Sequence, residues 1–526
     1  MTKKKTIEIE ATTKGFPQAQ SFIEQVLESN SVNSNIASET MLLFEALFNA
    51  VISQVEGANT TIEMVCSRKL GRTELVMYFP GERFSPPECG VEPDPDAKII
   101  EAFADKVSYS YRSGYNEIRI SVSVSAKAFL LPNLVAVAMA FIIGIPLTFV
   151  LDAETAQTLS TDWLDPLQKL FTNAVMMIGA PMTLFSLLKN TTDAFIVSGH
   201  KSSSRRLFLS SLITSIAAII LAVILGFAVS QLVTTLIGAI EGATPVSATF
   251  SLASVVDQII PSNILEPFQT ISPIPMIIVA LLITYGLFSV GKNFELIQSA
   301  IDACYDLFSR ILNIVMALFP IACFAFFLKT LLTGGVIEVV ALLILVAVVL
   351  FLTLFLFLSY AIRLKFCGYK LLEFWRTLKP LIKENFKIGS AIDAVPYNVR
   401  YCTKNFGFSR DRLEKELPVL AQTNLDGNCF IIMLLAVTHI FLSSTEIAWV
   451  NIVVIGIIVL FLSFGAPNQP GSILIGMMIV FTYLDEASAI PMAMCFELFC
   501  GSIQNIINVI SGIVTVAEDE SKALEE

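Results

Sequence analysis

Histidine is nearly missing: there are two in 526 residues. That removes most imidazole acid–base chemistry from consideration. The nine cysteines are scattered, with no Cys-x-x-Cys pair and no Cys/His cluster. Zinc, iron–sulfur and a secreted disulfide framework are therefore not expected. Charge is scarce as well, at 15% of residues, where a soluble protein carries roughly a quarter. The balance is acidic, net −11, which argues against nucleic acid as a partner. What is abundant is apolar. Hydrophobic residues make up 55% of the chain, including 39 Phe, and mean hydropathy is +0.72. Much of this chain cannot face water.

The charge is unevenly spread. Residues 1–130 carry 13 Lys/Arg and 17 Asp/Glu, the density of a soluble domain, while residues 131–526 carry 21 and 28. The opening MTKKKTIEIEATTKG has no apolar core of a signal peptide, so this part is expected to stay in the cytosol. Its pattern predicts an α+β domain. Strands are expected at Thr6–Ala11, Thr60–Lys69, Glu74–Phe79, Lys106–Arg112 and Asn116–Ser123, with helices at Gln18–Glu28, Ala37–Ser53 and Ala97–Ala104.

The remainder is a succession of apolar stretches near the ~20 residues that a spanning helix needs. They are Leu131–Leu151, Leu164–Leu188, Leu207–Leu236, Met276–Val290, Leu307–Leu332, Val336–Ile362, Val419–Leu442, Ala448–Phe464 and Ile473–Phe499, the last running on into Gly501–Val516. Lys201, Arg205 and Arg206, then Arg363 to Lys383, then Arg400 to Lys415, mark connections on one side. Asp152–Asp162 and Gly238–Ser251 carry no Lys or Arg. The positive-inside rule places both termini in the cytoplasm of a multi-pass plasma-membrane (inner-membrane) protein surrounded by lipid bilayer.

Polar groups at membrane depth are costly and mark candidate sites. Asn424-Leu-Asp-Gly-Asn428 sits in an apolar run, and its Gly and amides predict an unwound helix whose carbonyls and Asp426 coordinate a hard cation such as Na⁺. The alternative is a solvated loop. On the last helix, Glu497, Gly501, Gln504, Asn508, Ser511 and Gly512 fall on one narrow face. Close helix packing on small residues is the alternative there. Two interrupted segments, Ile388-Gly-Ser-Ala-Ile-Asp-Ala-Val-Pro396 and Phe464-Gly-Ala-Pro-Asn-Gln-Pro-Gly471, flank the first motif, as broken segments do at a transporter's binding site.

Pro181, Val255-Val-Asp-Gln-Ile-Ile-Pro-Ser-Asn263, Ala317-Leu-Phe-Pro-Ile-Ala322 and Asn424-Leu-Asp-Gly427 occur in order. Over about residues 131–517 the chain resembles the dicarboxylate/amino acid:cation symporters, the glutamate-transporter homologues. The resemblance implies a polytopic α-helical membrane protein with eight transmembrane helices and two re-entrant hairpins, at about Leu371–Arg410 and Val450–Tyr483. It implies a homotrimer with an elevator mechanism. It also implies that Thr214, Ser215, Asn424, Asp426 and Asn508 hold Na⁺. Ser211 stands where the family has an aromatic residue, and Gly512 replaces an acidic ligand of another sodium. The implied solute contacts are Asn428, Gly501, Gln504, Asn508 and the hairpin tips, Ser390, Ala391 and Asp393 of the first and Gly465, Ala466 and Pro467 of the second. Gln504 replaces the arginine for an acidic side chain and Gly501 the aspartate for the amino group, so aspartate and glutamate are poor substrates by this reading. Asp393 suits a cation or proton.

Residues 1–125 resemble more faintly an anti-sigma-factor, histidine-kinase-like ATPase domain. Glu45-Ala-Leu-Phe-Asn49 would place Glu45 and Asn49 on one helix face, and Phe79-Pro-Gly-Glu-Arg-Phe84 would place Gly81 after a strand. Phe79 replaces the adenine-reading Asp, and no glycine-rich lid occurs near Glu92–Ala97, so ATP and Mg²⁺ are not expected cofactors. His200 and His439 read as structural, and the acidic tail, residues 518–526, as solvated. The expected organisation is 1–125 cytosolic, 126–517 transmembrane and 518–526 tail. The expected function is non-enzymatic: sodium-coupled symport of a small solute. The rival expectation is a transporter-derived sensor whose cytosolic domain engages a regulatory protein.

Overall fold

Period-two alternation near the amino terminus produces one antiparallel sheet. In the computed structural model, β1 (Lys4–Glu10), β2 (Thr61–Lys69), β3 (Arg72–Pro80), β4 (Val107–Arg112) and β5 (Tyr115–Val122) run in the order β1-β2-β3-β5-β4. The register sets Met64 beside Met77 and Met77 beside Ile118, so every second residue enters one core. All three are buried, as are Ile9, Ile62, Phe79 and Ile120. Helices α1 (Phe16–Ser29) and α2 (Ser34–Val55) add Ile23, Val26, Leu43, Phe44 and Phe48, with Phe16 packed against both phenylalanines of α2. A short α3 (Pro95–Ala102) follows. Each strand and helix expected from the pattern is found, with ends shifted by at most three residues.

The structure describes residues 4–29, 34–55, 60–69, 72–81, 84, 95–103, 107–112, 114–122, 126–200, 202–237, 260–290, 294–392, 394–443, 449–465, 470–484 and 490–525. They form two compact units, Met1–Phe129 and Leu130–Glu526.

The second unit is helical. It opens with α4 (Ala126–Val150) and α5 (Ala153–Leu159), which passes through a wide turn at Ser160–Leu164 into α6 (Asp165–His200). Then come α7 (Ser202–Ile237), α8 (Pro273–Ser289), α9 (Phe294–Met316) and α10 (Phe319–Phe366). Next are α11 (Leu371–Ile388), α12 (Val395–Asn405), α13 (Arg410–Thr423) and α14 (Asp426–Ser443). The last three are α15 (Trp449–Phe464), α16 (Ser472–Tyr483) and α17 (Ile490–Glu525). Among the described residues six helical stretches are long and apolar enough to cross a membrane. Three shorter apolar helices, at Pro273–Phe288, Trp449–Ser463 and Ser472–Tyr483, accompany them.

Several apolar stretches divide differently from their sequence pattern. Ile473–Phe499 is not one helix but α16 and the start of α17. Leu307–Leu332 is broken at Ala317-Leu318, because Pro320 starts a new helix more readily than it continues an old one. From Phe319 to Phe366 the chain is helical except at Gly335. Its φ of 69° and ψ of −173° are non-helical and divide α10 into two segments across a kink, at the gap between the expected stretches Leu307–Leu332 and Val336–Ile362. Val419–Leu442 breaks at Asn424-Leu425, within the predicted unwound segment. The acidic tail also departs from expectation. It continues α17, and Glu518 is held by Arg363 rather than by water.

Burial separates the spans by role. Phe129–Val150 and Leu209–Gln231 show most of their apolar surface, as lipid-facing helices do, with Phe149 and Ile213 exposed. Lys415–Phe441 and Ile490–Ser521 are enclosed almost entirely by protein. Those two carry Asn424, Asp426, Asn428, Glu497, Gln504 and Asn508, all buried, which is where bilayer energetics allows such groups.

Candidate functional site

The break between α13 and α14 builds the site. Asn424 leaves helical geometry at φ −99°, ψ 76°, and Asp426 opens the next helix. Its carboxylate is buried among hydroxyls from three other helices. Oδ1 accepts from Ser215 at 3.0 Å and Thr214 at 3.2 Å, both on α7. Oδ2 accepts from Ser511 of α17 at 2.5 Å and Tyr360 of α10 at 3.2 Å. Asn424 Oδ1 stands 3.1 Å from the Thr214 hydroxyl and 3.2 Å from that of Ser511.

Protons are short here. Thr214 has one hydroxyl proton and three acceptors in reach: Asp426, Asn424 and, at 2.9 Å, the Ser211 carbonyl. Ser511 has one proton and two acceptors. A hydroxyl donates once, so lone pairs are left over. The donor set is all oxygen with one formal negative charge, which fits a monovalent hard cation; a divalent ion favours more carboxylates. The neighbouring Arg363 does not neutralise Asp426 directly. It forks onto Glu518 at 2.7 and 2.9 Å and reaches the cluster through Thr515, 3.1 Å away, which in turn accepts from Asn424.

A second polar cluster adjoins the first. Asn508 Oδ1 accepts from the Gly427 N–H at 2.8 Å, while its amide donates to Asn428 Oδ1 at 3.1 Å. Gln504 also donates to Asn428 Oδ1 and, at 3.1 Å, to the Ser472 hydroxyl, which accepts from Asn428 at 2.8 Å as well. Ser472 begins α16, the returning arm of the second interrupted segment. The same turn is gripped by Glu497, whose oxygens accept from Gly471 N at 2.7 Å and Leu474 N at 3.1 Å. Gly427 lets the helices close: a Cβ there would lie 2.6 Å from the Gln504 carbonyl oxygen.

Among the expected cation residues, Thr214, Ser215, Asn424 and Asp426 meet at one point, with Asn508 one step away through Gly427. Asn428, Gln504 and Asn508 join in the second cluster. Gly501 lies on the same face of α17 beside Glu497. The first interrupted segment touches α17 through Asn505, which donates to the Gly389 carbonyl at 2.9 Å, next to Ser390 and the buried Ala391. Gly465 faces α6 instead, where a Cβ would stand 3.2 Å from the Thr183 carbonyl oxygen. Asp393, Ala466 and Pro467 lie outside the described residues, as do residues 251–259. Sequence reasoning missed Tyr360, Ser472 and Thr515. Tyr360 carried the best signal, a single tyrosine at the end of the apolar run Val336–Ile362.

In the amino-terminal unit, Glu45 and Asn49 of the ATPase resemblance lie on α2 and Gly81 follows β3. Glu45 and Asn49 are exposed, and the Asn49 amide donates to Asp96 at 3.0 Å. Phe79 is buried edge-on against Phe84, with apolar bulk where the adenine-reading acid would stand. Gly81 is exposed at φ +144°, and residues 92–94 lie outside the described residues. His439 packs edge-on against Phe481.

The family model of the sodium:dicarboxylate symporter family matches residues 130–517. The chain belongs to that family. Comparison with curated proteins gives no match. The symporter match begins where the sheet-containing unit ends and includes every residue of both polar clusters. Family membership makes this a multi-pass helical membrane transporter, in agreement with the six long apolar helices among the described residues. It also makes Na⁺ the coupling ion to test first, for which the first cluster has the right chemistry.

Proposed function

We propose that this protein is a sodium-coupled symporter of a small solute other than aspartate or glutamate. Asp426, Asn424, Thr214 and Ser215 bind the ion together with Tyr360 and Ser511, and Asn508 links that group to the solute. The carrying observation is the surplus of acceptor oxygens over protons around Asp426. Asn428, Gln504, Gly501 and the hairpin tips (Ser390, Ala391, Asp393, Gly465, Ala466, Pro467) border the solute.

Coupling follows a short path. The ion orders the break at Asn424–Gly427, Gly427 fixes Asn508, Asn508 fixes Asn428, and Asn428 holds Ser472 at the start of the second hairpin's returning arm. Ion and solute then both favour the same closed hairpin, so each raises the affinity for the other. Eight transmembrane helices, two hairpins, a homotrimer and elevator movement complete this reading through the family. The amino-terminal unit is a cytosolic regulatory domain in it.

The test is unfolding of the purified protein in Na⁺ against K⁺, followed by solute uptake into liposomes under a Na⁺ gradient. Stabilisation by Na⁺ and gradient-driven uptake are the expected results; indifference to Na⁺ in both overturns the reading. The compact, separately built amino-terminal unit favours one rival, a sensor that binds solute without carrying it. Na⁺-dependent binding with no uptake would select it.

A further inference from the structure

Helix α11 carries charge that neither polar cluster uses. Leu372, Arg376, Lys379 and Lys383 fall in one arc about 60° wide, and all four are exposed. Phe374, Leu378 and Leu381, on the opposite side, are buried. The helix is thus seated by its apolar face and presents a basic one. Among the described residues no acid pairs with Arg376, Lys379 or Lys383. Of the two acids on the helix, Glu373 stands 3.8 Å from Lys370 and Glu384 is buried.

Arg376 and Lys379, then Lys379 and Lys383, are three and four residues apart, the spacings at which like charges on a helix repel. A countercharge from outside the chain relieves that repulsion. The excess is local: residues 363–387 hold seven Lys/Arg and two Asp/Glu, whereas residues 131–526 hold 21 and 28.

The place of this face decides what the countercharge is. Helix α10 is long and apolar enough to cross a membrane, and it ends at Phe366. Trp375 packs edge-on against Phe357 of α10, ring centroids 5.9 Å apart, so α11 begins alongside the last turns of that span. Apolar side chains protrude beside the charge: Phe366 is 88% exposed and Leu372 75%. Lys365 is exposed next to Phe366. A soluble anion would satisfy the cations and leave both apolar groups in water. A phospholipid satisfies both, with its phosphate on the basic side chains and its acyl chains on Phe366 and Leu372.

We propose that this face of α11, with Lys365 and Phe366 at the end of α10, binds anionic phospholipid. The proposal requires α10 to span the bilayer and is independent of which ion or solute the two polar clusters hold.

The test is thermal unfolding of the full-length protein in neutral detergent and K⁺ with added phosphatidylglycerol, phosphatidylcholine or inorganic phosphate. Phosphatidylglycerol is expected to raise the melting temperature above the phosphatidylcholine value, and inorganic phosphate to leave it unchanged. The triple variant Arg376→Gln, Lys379→Gln, Lys383→Gln should need about 100-fold more phosphatidylglycerol for the same shift, at about fivefold per basic side chain. In phosphatidylcholine it should melt no lower than the wild type, because its substitutions are exposed and remove a repulsion. Phe366→Ser with Leu372→Ser keeps every charge and should weaken the phosphatidylglycerol response to a smaller extent. Equal responses to the two lipids overturn the proposal, as does a phosphatidylglycerol response kept in full by either variant. Inorganic phosphate acting as strongly as phosphatidylglycerol overturns it in favour of a soluble anion.

Discussion

Asp426 and Glu497 are both enclosed by protein in the membrane unit, yet their surroundings differ in kind. Asp426 is met by side-chain hydroxyls from α7, α10 and α17. Glu497 is met by two main-chain N–H groups at the start of α16. A hydroxyl can rotate and exchange proton donation for lone-pair donation; an amide N–H can only donate. The region around Asp426 can therefore serve the site with and without an ion, using the same atoms. The region around Glu497 is committed to one polarity and fixes the start of α16 in place.

Asp426→Asn puts the most strain on this contrast. With Na⁺ at 100 times its dissociation constant, the wild type should gain about 2.7 kcal/mol. The variant should gain nothing, as read by chemical unfolding in Na⁺ and K⁺. A retained gain would show that the rotating hydroxyls serve no ion. Glu497→Leu tests the committed side, since it orphans two buried N–H groups at about 1–3 kcal/mol apiece; an equal melting temperature would mean that α16 is anchored by Ser472 alone.

Arg363→Ala is next. It strands Glu518 and should cost about 1.5–3 kcal/mol, as for hydrogen bonds to charged groups. Arg363→Lys should recover only part of this, because Lys lacks the fork that spans both Glu518 oxygens. Tyr360→Phe removes one of four hydroxyls on Asp426 and should cost about 1 kcal/mol of Na⁺-dependent stability. Loss of the whole Na⁺ response in that variant would make Tyr360 a principal ligand.

The last effect lies in the amino-terminal unit, where burial pushes the Cys66 thiol up to about 11. The unfolded thiol ionises first, near pH 9, so the stability from its burial is complete below that and is lost as pH rises toward 11. Hydrogen exchange in β2 and β3 at pH 8 and pH 10.5 reads it out. Equal protection at both would show that Cys66 contributes nothing.

Legibility in the sequence followed the length scale of each interaction. Strands and helices of the amino-terminal unit were readable because period-two alternation is local and Met64, Met77 and Ile118 obey it. The break at Asn424 was readable because Asn, Asp and Gly seldom meet inside an apolar run unless the helix opens there. Tyr360 was not, since it lies 66 residues from Asp426 and nothing local marks its partner. Glu518 misled for a related reason: an acid near the chain end reads as solvated, and Arg363 reads as a loop charge. The split of Ile473–Phe499 was hidden by uniform hydropathy, which carries no register. Symporter membership was legible from motif order.

The absent side chain at Gly427 bears on how such a protein can change over generations. A methyl there would strike the Gln504 carbonyl oxygen at 2.6 Å and Asn508 Oδ1 at 2.9 Å, so the crossing of α14 and α17 tolerates no single replacement. At Gly501 the obstacle is a side chain, Glu497 Oε1 at 2.9 Å, and not the main chain. A lineage can therefore replace Gly501 once one carboxylate gives way, whereas Gly427 is held for as long as the two helices cross there.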